Sequence, residues 1–165
     1  MKKVLIAYAT KTGSTGEVAT GIGKVLTEKG FGVEVKALEQ IQSLDGFDAV
    51  VVGAPVNGMQ WRPDALEFIK RNREALRRVP VAYFLLSVAL TGQGTFFKKR
   101  VLGVLGPAIA EVEPLKTGFF PGVMATKPPF ILRLVFGLKK GAPKDGRDWD
   151  AIRKWADELA GLFQT

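Results

Sequence analysis

Cysteine and histidine are both absent from the 165-residue sequence. Without thiol or imidazole groups the chain cannot form a disulfide, a cysteine nucleophile or a histidine-dependent catalytic triad, and nearly every type of zinc site is excluded. Because a cysteine-free chain fits a reducing compartment, we expect a cytoplasmic protein. Long apolar runs are missing too: no stretch reaches the roughly 18 apolar residues that a membrane-spanning helix needs.

Acidic residues are few compared with basic ones. The sequence has 16 Asp and Glu against 24 Lys and Arg, which gives a net charge of +8. Such a charge attracts polyanions, whether nucleic acid, an anionic membrane surface or an acidic ligand. No recognised nucleic-acid-binding motif occurs, and the aromatic residues are not interleaved with the basic ones, so we expect no nucleic-acid partner. The ordinary length and apolar content predict a single domain over residues 1–165.

Short apolar runs alternate with segments of helical periodicity along the chain. Strands are predicted at 3–9, 31–37, 48–53, 81–88 and 115–120. Helices are predicted between them, including one from Pro63 to Leu76, one over 98–109, and a last one that starts after Asp148. Apolar strands that alternate with helices indicate a parallel sheet covered on both faces. With right-handed crossovers, the prediction is an α/β fold with a doubly wound sheet of five parallel strands.

The turn after the first predicted strand combines hydroxyl groups, lysine and glycine. It reads Thr10, Lys11, Thr12, Gly13, Ser14, Thr15 and Gly16, and it opens a predicted helix. Ligands of doubly wound sheets bind at the carboxyl ends of the strands, and amide groups at a helix N-terminus favour an anion, of which a phosphate fits best. The alternative is that a serine or threonine only caps the helix, for which one hydroxyl suffices. Neither the Walker pattern nor the dinucleotide pattern occurs, which favours a monophosphate.

This turn resembles the FMN-phosphate loop of the flavodoxin family, which reads Thr or Ser, any residue, Thr, Gly, any residue, Thr after the first strand. The fixed positions are matched here by Thr10, Thr12, Gly13 and Thr15, and the variable ones are Lys11 and Ser14. The resemblance implies a flavodoxin-like fold with FMN as the cofactor, its phosphate held by this loop. It also implies that the loops after the third and fourth strands contact the flavin ring.

Two groups of residues are therefore expected at the flavin ring. They are Pro55, Val56, Asn57, Gly58, Met59 and Trp61 after the third strand, and Ser87, Val88, Ala89, Leu90, Thr91 and Gly92 after the fourth. By the resemblance, the flexible Asn57-Gly58 turn flips a peptide to hydrogen-bond N5 of the reduced flavin. Trp61 either stacks on the ring or packs inside the protein. The second loop has no aromatic residue before Phe96, so the outer ring face is open to a bulky substrate unless Phe96 or Phe97 folds back over it.

A basic, apolar insertion at 125–147 precedes the last predicted helix. It contains six Lys and Arg residues against one acid, Asp145, around an apolar stretch that is too short to cross a bilayer. An apolar segment with basic flanks is typical of a membrane interface, whereas a core-packing helix or a dimer contact is the alternative. The insertion, the Gly53-Ala54-Pro55-Val56 sequence and the Asp148-Trp149 helix start resemble the menaquinone-dependent protoporphyrinogen oxidases of haem biosynthesis within the flavodoxin-like proteins.

That resemblance implies an FMN-dependent oxidoreductase that takes hydrogen from a porphyrinogen, passes electrons to a quinone, and contacts the inner face of the cell membrane. No side chain is an obvious catalytic base, so no catalytic residue is predicted; Lys11, Arg62 and Lys127 are hypothetical partners of substrate propionates. A flavodoxin that carries one or two electrons is the alternative, although flavodoxins are generally acidic and this chain is basic. A non-catalytic binding module or scaffold is a third reading, which the basic charge alone permits.

Overall fold

A computed structural model describes residues 1–9, 13–90, 95–123 and 145–165 of the chain, with backbone only at 95–98. The strands are β1 (Lys3–Tyr8), β2 (Gly32–Ala37), β3 (Ala49–Asn57), β4 (Gln60–Trp61), β5 (Val81–Ser87) and β6 (Lys116–Pro121). The helices are α1 (Ser14–Glu28), α2 (Pro63–Arg71), α3 (Arg73–Leu76), α4 (Thr95–Leu102), α5 (Gly106–Glu111) and α6 (Trp149–Gln164). Short 3-10 helices follow β2 at Leu38–Gln40 and β5 at Val88–Leu90.

The main sheet is parallel, and its strand order is β2-β1-β3-β5-β6. This order confirms the predicted doubly wound sheet with helices on both faces, since the chain moves outward from β1 in one direction and then crosses to the other side. All seven residues of β5 are buried, because both faces of this strand are covered. The short β4 is an addition to the prediction and pairs antiparallel with the end of β3.

The first face of the sheet is covered by the two longest helices, α1 and α6. Their apolar residues form one core cluster with the side chains of β1, β3, β5 and β6 that point to this face. Trp155 of α6 is central to it: its ring centroid lies 6.0 Å from that of Phe84 and 5.7 Å from that of Phe120, and its indole N–H donates to Thr117 O at 2.9 Å. Gly53 lies directly against the Phe84 ring, where no Cβ can be placed. The first face is therefore closely filled with aromatic rings.

The second face is covered by four short helices, α2 to α5. Its core cluster includes Phe68, Tyr83 and Leu85, all fully buried. The two helices predicted here are each interrupted, so these predictions are wrong in their extent. The first breaks at Asn72, whose side-chain amide donates to Phe68 O at 2.8 Å. The second breaks between Leu102 and Gly106, because Pro107 lacks the N–H that a continuous helix would need there.

Beyond β6, the described part of the chain stops at Val123 and resumes at Asp145, and these two residues are neighbours in space. Val123 and Asp145 form an antiparallel bridge, and Gly146 N donates to Gly122 O at 3.2 Å. The predictions made for 124–144, including the apolar stretch and Lys127, lie outside the described residues. Within the part of the chain that the structure covers, no helix combines the length and apolar character needed to span a membrane.

Candidate functional site

The predicted site residues follow strands that end at one edge of the sheet. Because β1, β3 and β5 are parallel neighbours, their carboxyl ends meet at this edge. Five of the predicted residues lie outside the described part of the chain: Thr10, Lys11, Thr12, Thr91 and Gly92. The others are placed, and their surroundings are described below. Among the described residues, no group of three or more acidic side chains is arranged to hold a metal ion.

Gly13 and Ser14 begin helix α1 directly beyond the end of β1. Gly13 is the N-cap residue and has φ of 91°, a left-handed conformation that favours glycine. Its carbonyl accepts the first helical hydrogen bond from Glu17 N at 3.1 Å. The cap position is thus taken by a residue without a side chain, unlike the serine or threonine cap that was the alternative to an anion site. The amide groups of the first turn form the positive end of the helix dipole.

Thr15, in the first turn of α1, has an unusual side chain. It is completely buried, and among the described residues its hydroxyl Oγ1 has no hydrogen-bond partner. Leaving a buried hydroxyl unpaired costs about 1–3 kcal/mol, so such groups are rare unless a ligand, ion or water satisfies them. Thr15 matches the last fixed position of the FMN-phosphate loop. An orphaned hydroxyl at a helix N-terminus is what a phosphate-binding residue looks like without its ligand, so the site fits FMN.

The predicted loop after the third strand is a β-hairpin. Strand β3 continues four residues beyond its predicted end, to Asn57, and turns through Gly58 and Met59 into β4. Both turn residues have positive φ, 58° and 62°, as in a type I′ turn. Met59 is the one described non-glycine residue with positive φ, a conformation that costs about 1–2 kcal/mol for a residue with a Cβ. Asn57 and Gly58 are exposed at the tip, and Pro55 and Val56 are half-buried.

Trp61 is a core residue, which favours the packing alternative over stacking on the flavin ring. Its side chain is 5% exposed, and its indole N–H donates to Ala54 O at 3.1 Å. The ring lies against Tyr83, with centroids 5.6 Å apart. The packing alternative left open by the sequence is therefore the one that the structure has. Arg62, a hypothetical partner of substrate propionates, forms an ion pair with Asp64 at 3.1 Å.

The residues after β5 form a tight turn that the protein holds by itself. The hydroxyl of Ser87 accepts from Ala89 N at 3.2 Å, and Ser87 O accepts from Gly122 N at 3.1 Å. These bonds set the 3-10 turn of Val88–Leu90, in which Ala89 is buried and its two neighbours are half-buried. The Ser87 hydroxyl is already hydrogen-bonded within the turn, so this part of the predicted ring site presents mainly backbone groups to a ligand.

Arg147 is a prominent residue near α1 that the sequence analysis did not single out. Its guanidinium bonds Asp145 at 2.7 Å and Glu17 at 3.1 Å, and it lies over the Trp149 ring, 5.0 Å from the centroid. The hydrogen bond from Arg147 holds the pKa of Asp145 below its usual value. Arg147 thereby ties the chain entering α6 to the first turn of α1. Long-range ion pairs of this kind leave no periodic signal in a sequence.

Two concave surfaces adjoin this edge of the sheet. The first, which we call the α2–α5 cavity, has a volume of about 540 Å³ and is lined by residues 59–61 of the hairpin and by side chains of α2, α4 and α5. The second, the α1 groove, has a volume of about 520 Å³ and runs along α1 between Tyr8 and Trp149. The sequence analysis predicted neither, because each is formed by elements far apart in the chain.

Comparison with known proteins gives a consistent family. A family model described as "Flavodoxin domain" matches residues 5–126. The protein named Protoporphyrinogen IX dehydrogenase (quinone) from Escherichia coli strain K12 is 27% identical, over 97% of this chain and 96% of its own length.

Solved structures share the fold at lower sequence identity. A flavodoxin from the domain Archaea superposes with a TM-score of 0.62 at 16% identity, covering 99% of each chain. A Fusobacterium nucleatum flavodoxin bound to flavin mononucleotide superposes with a TM-score of 0.61 at 14% identity, again covering 99% of each chain. At these identities the likeness shows a common fold.

Proposed function

The chain belongs to the flavodoxin-domain family, and from this premise we propose that it is an FMN-dependent oxidoreductase that oxidises a porphyrinogen and passes the electrons to a quinone. The family and the fit of the site support FMN as the cofactor. The porphyrinogen and the quinone are proposed from the printed name of the E. coli relative, which is similar over nearly the whole chain. A flavodoxin that only carries electrons is the second candidate, supported by the flavodoxins that share the fold.

In this proposal the protein's own residues bind and orient the cofactor. The first-turn amides of α1 and the hydroxyl of Thr15 would hold the phosphate, and the 57–60 turn and the Val88–Leu90 turn would border the ring. FMN supplies the redox chemistry when it is bound. The chain has no histidine to transfer protons, and the role proposed for its described residues is to bind and position the cofactor. The predicted absence of a catalytic side chain stays a prediction.

The observation that carries the proposal is the buried hydroxyl of Thr15, which has no hydrogen-bond partner among the described residues. A Thr15→Val variant keeps the size of the side chain and removes the hydroxyl. We expect FMN affinity to fall at least tenfold, because a hydrogen bond to a charged group contributes about 1.5–3 kcal/mol. The flavin-free variant should unfold at a higher urea concentration than the flavin-free parent, since the unpaired polar atom is gone. Flavin fluorescence titration and urea unfolding measure the two effects.

Thr27→Val is the matched control. Thr27 lies on the same helix, but its hydroxyl donates to Gly23 O at 2.8 Å and is therefore already satisfied. This variant should bind FMN as the parent does. Unchanged FMN affinity in Thr15→Val would contradict the placement of the phosphate and with it the proposed function.

Turnover separates the enzyme from the electron carrier. Anaerobic incubation of the FMN-loaded protein with protoporphyrinogen and a menaquinone analogue should produce porphyrin, detected by its fluorescence. No porphyrin formation by a protein whose flavin is still reduced by added dithionite would favour the carrier. Peripheral membrane contact is also part of the proposal and is supported by the basic and apolar composition of 125–147. A variant lacking 128–140 should bind anionic vesicles more weakly than the parent. Equal binding would remove membrane contact from the proposal.

A further inference from the structure

The α2–α5 cavity is a partly open, mainly apolar space beside the proposed flavin site. Apolar atoms of Trp61, Leu66, Val104 and Ala108 line it, and Met59 borders it from the hairpin turn. Its volume of about 540 Å³ lies within the range of about 300–1,000 Å³ that is typical of small-molecule sites. On the floor of the cavity, the indole N–H of Trp61 is already hydrogen-bonded to Ala54 O. The floor therefore suits an apolar ligand body.

Two cations, Lys99 and Arg100 of α4, are also part of the lining of the α2–α5 cavity. Both are exposed, and neither forms an ion pair among the described residues. All 16 acidic residues of the chain lie in the described part, because 10–12, 91–98 and 124–144 contain none. No aspartate or glutamate elsewhere in the chain can thus be their missing partner. Other exposed cations, such as Lys70 and Arg71, are also without an ion pair among the described residues, so what distinguishes Lys99 and Arg100 is their place in the cavity lining.

The position of the cavity connects it to the redox site. One wall is formed by residues 59–61 of the hairpin, and another is α4, which begins beyond the turn after β5 in the chain. The hairpin turn at 57–60 is expected to border the flavin ring. A molecule in the cavity would therefore lie beside the cofactor rather than on a remote surface. The α1 groove differs, because an acid, Glu17, lines it together with Lys24.

From these observations we infer that the α2–α5 cavity binds the substrate, an apolar ring system that carries carboxylates, with its rings on the apolar floor and its carboxylates at Lys99 and Arg100. The inference rests on the proposed function and names the substrate class of that site. A neutral quinone would have no use for two unpaired cations. A porphyrinogen with propionate groups has both the apolar body and the anionic substituents that the lining matches.

A charge-removal pair tests the inference. The FMN-loaded protein is titrated with protoporphyrin IX, which has carboxylates, and with its dimethyl ester, which has none, and binding is followed by porphyrin fluorescence anisotropy. The double variant Lys99→Gln, Arg100→Gln should bind the acid about tenfold more weakly, because each exposed charge pair contributes up to about 1 kcal/mol. Its affinity for the ester should not change. Val104→Phe, which fills the cavity, should weaken binding of both probes.

The matched control is Lys70→Gln, Arg71→Gln. This pair has the same two residue types, is exposed, and lies at the end of α2 outside the cavity lining. It should bind both probes within twofold of the parent. FMN retention by every variant verifies that each is folded. Equal weakening by the two double variants, or no weakening by the α4 pair, would overturn the inference.

Porphyrinogen turnover distinguishes the two levels of proposal. If the parent oxidises porphyrinogen and the α4 double variant has the same KM, the proposed function stands and the inferred cavity role fails. If the parent binds the porphyrin in the charge-dependent way but does not oxidise porphyrinogen, the cavity role stands and the proposed function fails.

Discussion

The two faces of the sheet are covered in different ways, although they belong to the same strands. On the first face, α1 and α6 have 15 and 16 residues and pack against a closely filled aromatic cluster. On the second face, α2 to α5 have 9, 4, 8 and 6 residues, and a partly open cavity of about 540 Å³ lies among them. A long uninterrupted helix covers its face continuously, whereas helix breaks leave space. The comparison suggests a division between a structural face and a ligand-binding face.

The largest expected difference comes from the same truncation made on each face. Leu159→Ala, in the middle of α6 and fully buried, should lower the free energy of unfolding by about 3–4 kcal/mol. Leu66→Ala, whose side chain is half-buried and borders the cavity, should cost about 1 kcal/mol, since fewer contacts are lost. Urea unfolding of the FMN-free proteins, with unchanged m-values, measures both. Equal losses would mean that the second face is filled as closely as the first.

Adding atoms should reveal the same contrast in the opposite direction. Gly53→Ala places a Cβ inside the volume of the Phe84 ring, and the repacking should cost about 2–3 kcal/mol. The entropy that alanine removes from the unfolded chain offsets less than about 1 kcal/mol of this. Val104→Leu adds a methylene that extends toward the cavity and should change stability by less than about 0.5 kcal/mol. A destabilised Val104→Leu would show that the cavity has no room for an added group. Thermal unfolding of the two variants against the parent gives the answer.

A smaller loss than those of Leu159→Ala and Gly53→Ala is expected for a buried hydrogen bond on the second face. Tyr83 is fully buried, and its hydroxyl donates to Val112 O at 2.7 Å. Tyr83→Phe should cost about 1 kcal/mol at pH 7. Burial raises the pKa of Tyr83 above its ordinary value of about 10, so above pH 10 the unfolded chain loses this proton first and the parent becomes less stable. The deficit of Tyr83→Phe should therefore shrink above pH 10, as urea unfolding from pH 7 to 11 would measure. A deficit that stays constant would contradict the raised pKa.

The sequence predicts the first face and the sheet better than the second face. The central strands β1, β3 and β5 were predictable because strands buried on both faces are continuous apolar runs. Helix α6 was predictable from the regular spacing of residues such as Ile152, Trp155 and Leu159. The break before α5 has a visible cause, Pro107, which the apolar periodicity of 98–109 concealed. The two-residue β4 is too short to show a period.

The candidate site was predictable where it depends on position along the chain. Gly13 and Thr15 follow the end of β1, and the end of a strand can be located from its apolar run. The orientation of Trp61 was not predictable, because the sequence does not show to which side of a hairpin an indole ring turns. The cation pair at Lys99 and Arg100 was missed for a related reason: only the folded chain shows which cations have no acid nearby.

The bridge between Val123 and Asp145 has a consequence for how this fold tolerates change. The bridge holds these two residues side by side. The number of residues between them, 21 in this chain, is therefore not fixed by the strands of the sheet. The bridge therefore sets the positions of the end of the sheet and of the chain entering α6 independently of the number of residues between them.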